Sequence, residues 1–117
     1  MKVLRIVADI KTPNPELAKK FYEDILGLEL LMDMTWIRTY GSKAKMSVQI
    51  SFMSEGGSRT PVPDLSIEVD DIDIALTKFK KSGFSIEYGP VFEPWGVRRF
   101  FVRDPFGRLV NVLSHDQ

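Results

Sequence analysis

The sequence predicts an α+β fold in which one order of elements occurs twice. Each half has a strand-like segment, an amphipathic helix and three further strand-like segments. The glycines that end the two helices, Gly27 and Gly83, are separated by almost half of the 117 residues. The repeat is visible in the pattern of elements rather than in residue identity. Each half would form a small curved sheet with a helix on one face, and two such halves could pair around a hollow.

The first half begins with residues 3–10, whose β-branched side chains favour a strand. A helix then starts at Asn14 and Pro15 and runs to about Leu26, because Asn is a favoured helix cap and Pro a favoured first residue. Three strands are predicted next, and the alternation of apolar and polar side chains is clearest in the last. They cover residues 28–32, 36–40 and 46–53.

A loop rich in glycine and proline separates the two halves. Residues 54–63 contain two of each, a composition typical of a connection between structured segments. The length fits one domain, residues 1–117. We therefore expect a first module over about 1–55 and a second over about 64–117.

The second half repeats the order with clearer boundaries. Residues 64–69 alternate apolar and polar side chains and predict a strand. Asp70 and Asp71 cap a helix over about 72–82, and a strand over 84–88 follows. Residues 97–103 and 108–114 predict a hairpin around the turn 104–107, which has proline at its second position.

Composition excludes several classes of partner. The chain has 16 Lys and Arg and 16 Asp and Glu, so no overall field attracts nucleic acid or an anionic membrane. It has no cysteine, which excludes disulfides and thiolate metal sites. The first apolar run is interrupted by Arg5 and Asp9, unlike a signal peptide. We therefore expect a cytoplasmic protein with no nucleic-acid or membrane partner.

Three segments resemble a known family, the vicinal oxygen chelate superfamily, which includes glyoxalase I, extradiol dioxygenases and bleomycin-resistance proteins. NPELAKKFYEDILGLEL (14–30) resembles its first helix and the strand that follows. VPDLSIEVDDID (62–73) resembles the opening strand of its second module, and EPWGVRRFFVRDPFGRLVNVLSH (93–115) resembles its last hairpin. The resemblance implies two βαβββ modules whose curved mixed sheets enclose a cavity. Because two chains share that cavity in many members, it also implies a homodimer.

The resemblance further implies four metal-ligand positions, which are commonly His, Glu, His and Glu. In this chain they fall on Val7, Gln49, Asp64 and Asn111. Two amides and one carboxylate make a weak site for a transition metal, so we expect no cofactor. The alternative is a divalent metal held by carboxylate, amide and imidazole groups, namely Asp9, Asp64, Asn111 and His115. His115, the only histidine, could equally be solvated near the C-terminus.

Two further groups of residues are candidates for contact with a ligand. Trp36, Arg38 and Tyr40 alternate along one predicted strand and would offer an aromatic wall and a fixed cation. The same face would equally suit solvent or a dimer contact.

Trp95, Arg99 and Phe101 form the second group. The resemblance implies that this strand faces the pocket, while the residues that alternate with these two strand positions pack on the helix. Arg99 could instead form a structural ion pair with Asp64 or Glu68.

These observations favour a metal-free small-molecule-binding protein that resembles the bleomycin-resistance proteins and takes an amphipathic or aromatic ligand. One alternative is an enzyme of lyase, isomerase or dioxygenase type that uses a divalent metal or a carboxylate base. Another is an interaction domain without a ligand of its own. The candidate ligand-binding residues are Trp36, Arg38, Tyr40, Gln49, Asp64, Trp95, Arg99, Phe101 and Asn111.

Overall fold

The computed structural model of this protein describes residues 1, 4–5, 7–46 and 49–115. By its contacts the chain divides into two units, Met1–Met53 and Ser54–Gln117. Together they form an α+β structure with two separate sheets, one of two strands and one of four, which confirms the predicted fold class. Within the described ranges, no helix has the length and apolar content that crossing a membrane requires.

The first unit contains a helical segment and a two-stranded sheet. A short 3₁₀ turn, Pro15–Leu17, leads into a π-helical segment, Lys19–Ile25. The wide winding is seen where the Leu26 amide donates to the Phe21 carbonyl, five residues back. The segment lies where a helix was predicted, but the side chain of Asn14 makes no capping hydrogen bond. The strands β1, Glu29–Asp33, and β2, Arg38–Gly41, pair antiparallel.

Two predicted strands of the first unit are wrong in the part of the chain that can be described. Residues 4–5 and 7–10, from the predicted strand 3–10, form no strand. Residues 46 and 49–53, from the predicted strand 46–53, form none either, and residues 3, 6, 47 and 48 lie outside the described ranges. β-Propensity expresses how well a side chain fits a half-buried pleated surface. The exposed Leu4 and Phe52 have no such surface.

The second unit contains one helix and a four-stranded sheet. The helix α1 is Ile72–Lys81, and its position confirms the predicted helix. The strand order is β3-β6-β5-β4, with β3 parallel to β6 and the other pairs antiparallel. The predicted strand over 84–88 begins and ends later than expected. The strands are β3 Leu65–Glu68, β4 Ile86–Phe92, β5 Val97–Arg103 and β6 Leu109–His115.

One face of this sheet packs on α1 through aromatic rings. The ring of Phe79 on the helix meets the ring of Phe100 on β5 edge-on, with centroids 5.9 Å apart. It meets Phe84, just beyond the helix, at 6.0 Å. Phe79, Phe100 and Val102 are all fully buried. The assignment of the residues alternating with Arg99 and Phe101 to the helix-packed core is thereby confirmed.

The turn between β5 and β6 forms as the sequence predicted. One oxygen of Asp104 accepts hydrogen bonds from the amides of Phe106 and Arg108, at 2.9 and 2.8 Å. This arrangement is the usual reason for aspartate at the first position of such a turn. The turn fixes the register in which Phe101 lies opposite Asn111.

A row of four side chains crosses the face of the sheet that lies away from α1. The register places Ser66 of β3 beside Asn111 of β6, Asn111 beside Phe101 of β5, and Phe101 beside Tyr88 of β4. Side chains alternate between the two faces of a strand, so these residues face away from the Phe100 side. Arg99 lies on the same face, two positions along β5. This helix-free face holds most of the candidate residues of the second unit.

We predict that the cap of α1 is carried by Asp71 and not by Asp70. The Asp71 carboxylate accepts a hydrogen bond from the Ile74 amide at 3.1 Å. Replacing a cap of this kind with alanine costs about 1 kcal/mol of stability. Asp71→Ala should therefore lower the free energy of unfolding in urea by about that amount, whereas the neighbouring Asp70→Ala should change it by less than about 0.5 kcal/mol. Equal losses in the two variants would contradict this assignment.

Candidate functional site

A buried ion pair lies on the helix-free face of the four-stranded sheet. Arg99 is 3% exposed, and its Nε and Nη2 atoms lie 2.7 and 2.6 Å from one carboxylate oxygen of Glu93. Its Nη1 donates to the Gly56 carbonyl at 2.7 Å, and its Nη2 donates to the Gly57 carbonyl at 3.2 Å. Arg99 thus fastens the start of the second unit to its own sheet. Arg99 therefore forms a structural ion pair, which was the alternative to lining a pocket, but its partner is Glu93 and not Asp64 or Glu68.

Three aromatic rings surround the Arg99 guanidinium. Its central carbon lies 4.8 Å from the ring centre of Phe101, 5.0 Å from that of Trp95 and 5.4 Å from that of Tyr88. The Tyr88 hydroxyl donates to Glu93 at 3.2 Å. Contacts of this kind between a cation and aromatic faces are favourable, more so away from water. Arg99 is therefore a support for the aromatic side chains and not a free cation for a ligand.

Trp95 and Phe101 differ in what they offer to a ligand. Phe101 is almost fully buried, with its ring 5.2 Å from that of Tyr88, so it belongs to the packing of this face. Trp95 is 51% exposed although Arg99 stacks on it. A Cβ atom at Gly57 would lie 2.8 Å from the indole, and the backbone there has φ +84°, so only glycine suits this position. The indole is held in place while much of it faces solvent.

Sequence reasoning missed Glu93, Tyr88 and Gly57. The predicted strand ended at Tyr88, so Glu93 was assigned to a loop. In the structure β4 continues to Phe92, and the Glu93 amide donates to the Val97 carbonyl at 2.8 Å. This places Glu93 beside Arg99. The available signal was a single acid before the turn at Pro94 and Gly96 and a pair of arginines, Arg98 and Arg99, after it.

Asn111 is buried with an unpaired oxygen. Its side chain is 8% exposed, and its Nδ2 donates to the Ser66 hydroxyl at 3.1 Å. Its Oδ1 is buried and, among the described residues, has no hydrogen-bond partner. An unsatisfied buried acceptor costs about 1–3 kcal/mol. The unpaired Oδ1 atom of Asn111 therefore lowers the stability of the sheet.

Asp64, a candidate for contact with a ligand or a metal, is hydrogen-bonded to the backbone in this structure. Its Oδ2 accepts from the Leu109 amide at 2.8 Å, and its own amide donates to the Leu109 carbonyl at 2.8 Å. Its Oδ1 lies 3.9 Å from Nη1 of Arg108. Asp64 therefore joins the start of β3 to the start of β6.

The four implied metal-ligand positions do not fit a metal ion in this chain. Val7 is exposed and cannot coordinate a metal, and Gln49 is exposed on a segment without regular structure. Asp64 is engaged by the backbone, which leaves the amide of Asn111 as the remaining donor. Among the described residues, no group of three or more His, Cys, Asp or Glu side chains is placed to hold a metal. The donor chemistry matches neither a transition metal nor Mg²⁺ or Ca²⁺.

The two remaining residues of the alternative metal site, Asp9 and His115, are both exposed. His115 has its Nδ1 2.7 Å from a carboxylate oxygen of Glu68, and both side chains are exposed. His115 is thus solvated near the C-terminus, one of the two placements that the sequence left open. Asp9 is exposed as well.

The predicted aromatic group of the first unit is only partly formed. Trp36 is 72% exposed and lies in the turn before β2, so its assignment to the strand is wrong. Arg38 has its Nε 3.3 Å from Asp33, and the Tyr40 hydroxyl donates to Glu23 at 3.4 Å. A hydrogen bond with Tyr40 and the charge of Asp33 raise the pKa of Arg38. These two side chains are engaged within their own unit.

A shallow depression of about 430 Å³ runs along the solvent side of α1. It contains none of the candidate residues, and α1 covers the opposite face of the sheet from Arg99. Its walls are exposed side chains of both charges, so we assign it no function. The lining residues are Asp71, Asp73, Ile74, Thr77, Lys78 and Lys81.

Solved structures with a similar fold include three bacterial or environmental proteins. TnmS3, an antibiotic binding protein from Streptomyces sp. CB03234, is 24% identical, with 86% of each chain covered and a TM-score of 0.62. TioX from Micromonospora sp. ML1 is 20% identical, with 97% of each chain covered and a TM-score of 0.63. Integron cassette protein HFX_CASS4, from the mobile metagenome of the Halifax Harbour sewage outfall, is 22% identical, with 97% of this chain and 99% of that one covered and a TM-score of 0.65.

Sequence comparison identifies the family. No curated protein matches the chain at a significant level. The family model described as Glyoxalase/Bleomycin resistance protein/Dioxygenase superfamily matches residues 4–112, nearly the whole chain. The match covers the segments 14–30 and 62–73 and most of the segment 93–115. The chain belongs to the glyoxalase/bleomycin resistance protein/dioxygenase superfamily.

Proposed function

We propose that this protein binds a small aromatic or amphipathic molecule, without a metal, on the helix-free face of the sheet in its second unit. The observation that carries the proposal is the half-exposed Trp95, held by Arg99 on one side and by the Gly57 backbone at its edge. Tryptophan combines a large apolar surface with a polar N–H, which is why it is enriched in binding sites.

The fixed position of Trp95 would favour binding. A ligand that orders a mobile side chain loses part of its binding free energy to that ordering, and a side chain already held in place avoids this loss. The Arg99 guanidinium that holds the indole is itself fixed by Glu93 and two backbone carbonyls. A planar ring could therefore stack on the exposed indole at little cost in side-chain entropy.

The residues disfavour the enzyme alternative. The implied metal positions lack the ligand types that a metal-dependent lyase, isomerase or dioxygenase requires. Burial raises the pKa of a carboxyl group and makes it a stronger base, provided that it is free to accept a proton. Among the described residues the buried carboxylates are Glu93 and Asp104. Glu93 is paired with Arg99, and Asp104 accepts hydrogen bonds from the turn that follows β5.

The fold comparison adds support of a general kind. One protein of similar fold, TnmS3, is described as an antibiotic binding protein, so this fold can serve binding of a small molecule. The homodimer that the family resemblance implies remains a prediction of the same proposal.

We predict that Trp95 reports ligand binding and that Trp36 does not. In a Trp36→Phe variant, the emission of Trp95 should be quenched and shifted by at least one compound in a panel of planar aromatic molecules, with no chemical change in that compound. Trp95→Leu should weaken that binding at least about tenfold, a loss of about 1.4 kcal/mol. Trp36→Leu is the matched control and should leave the affinity unchanged. A panel that leaves the Trp95 emission unaltered, or a compound that is converted to product, would contradict the proposal.

We also predict that Arg99 and Glu93 act as one structural unit. Breaking a buried ion pair by removing one partner leaves an uncompensated charge and costs about 3–5 kcal/mol. Arg99→Met should therefore destabilise the protein strongly, and adding Glu93→Gln should restore part of the loss, as measured by urea unfolding. Arg108→Met is the control, because Arg108 is 45% exposed and such pairs contribute about 0–1 kcal/mol. Additive losses in the double variant would show that the two groups do not interact.

A further inference from the structure

The unpaired oxygen of Asn111 has no structural use that the described contacts show. Its strand neighbours Val110 and Val112 are fully buried and apolar. Leucine has the same number and branching of side-chain heavy atoms as asparagine and carries no polar atom that would need a partner. Buried polar atoms in native proteins are nearly always hydrogen-bonded, so an exception needs an explanation. A partner that is present only when the protein binds its ligand supplies one.

Ser66 provides the open end of this site. It is exposed, and its hydroxyl oxygen accepts the hydrogen bond from the Asn111 Nδ2 atom. That bond uses a lone pair and leaves the hydroxyl proton available to donate. The two side chains therefore offer one acceptor and one donor next to each other. The apolar rings of Phe101 and Tyr88 continue the row on the other side of Asn111.

We propose that Asn111 and Ser66 form a hydrogen-bonding subsite for a planar lactam or amide edge of the ligand. The ligand N–H donates to Oδ1 of Asn111, and the adjacent ligand carbonyl accepts from the Ser66 hydroxyl. The inference rests on the proposed function, because it assigns a recognition element to the same face of the sheet.

The surroundings determine which ligands fit. The row of Ser66, Asn111, Phe101 and Tyr88 carries no formal charge. The carboxylates beside it, Glu93 and Glu68, are paired with Arg99 and His115, so a charged group bound there would lose its hydration without gaining an unpaired opposite charge. The matching group is therefore neutral. Since Oδ1 is buried, the ligand approaches from the exposed Ser66, and a small rotation of the Asn111 amide uncovers the oxygen while Nδ2 keeps its hydrogen bond to the Ser66 hydroxyl. The χ2 torsion of asparagine has a broad range and allows this rotation.

The subsite is tested with a matched pair of probes, 2-quinolone and N-methyl-2-quinolone, which differ in the lactam N–H. Isothermal titration calorimetry on the full chain should show that 2-quinolone binds at least about tenfold more tightly. Asn111→Leu should abolish this preference and raise the urea midpoint of unfolding. Ser66→Ala should weaken the binding of 2-quinolone, whose carbonyl loses its hydrogen-bond donor, and leave the midpoint nearly unchanged, because Ser66 is exposed.

Each other outcome overturns the subsite in a recognisable way. Equal affinity of the two quinolones for the unmodified protein would mean that the buried oxygen is satisfied by water only, while aromatic binding and the proposed function stand. No binding of either quinolone, with planar compounds still quenching Trp95, would likewise remove the subsite alone. If no compound of either kind binds, the proposed function fails as well.

If Asn111→Leu does not fold or is less stable, Asn111 has a structural role. An unchanged affinity of Ser66→Ala for 2-quinolone would contradict the assignment to Ser66.

Discussion

The buried ion pair of Arg99 and Glu93 supports the aromatic surface that we assign to the second unit. It joins the turn between β4 and β5 to the backbone at Gly56 and Gly57, and it forms the base on which the Trp95 indole is stacked. Both side chains are 3% exposed, so neither charge is available to solvent, and each is compensated by the other. The pair therefore holds the Trp95 indole in position, and neither of its charges is free to bind a ligand directly.

This arrangement explains how a superfamily rich in metal enzymes can include a chain that does not fit a metal. At the implied metal-ligand positions, the side chains are either hydrogen-bonded within the protein or exposed to solvent. Asp64 holds the start of β3 to β6 through the Leu109 backbone. Asn111 is hydrogen-bonded to Ser66 on one side and unpaired on the other. The amide of Asn111 and the hydroxyl of Ser66 suit recognition of neutral polar edges better than coordination of a cation.

Much of the second unit followed from its sequence, and much of the first did not. Alternation and capping signals located α1 and the hairpin of β5 and β6, because Phe79 and Phe100 meet where those patterns place them. The partner of Arg99 was missed, since Pro94 and Gly96 made Glu93 resemble a loop residue. In the first unit, β-branched and alternating residues over 3–10 and 46–53 suggested strands. A strand also needs a neighbouring strand for its backbone hydrogen bonds, and the side-chain pattern of a segment does not show whether one is present. The unpaired oxygen of Asn111 depends on packing in three dimensions and leaves no mark on the sequence.

The most direct test of a metal-free binding site is the metal content of protein purified without tags or chelators. We expect plasma mass spectrometry to find no stoichiometric metal. We also expect that adding Mn, Fe, Ni, Zn, Mg or Ca leaves the melting temperature unchanged. A metal present at one equivalent per chain would contradict the account, as would a melting shift that Asp64→Ala or Asn111→Ala removes. Either result would make metal-dependent catalysis the better explanation of this site.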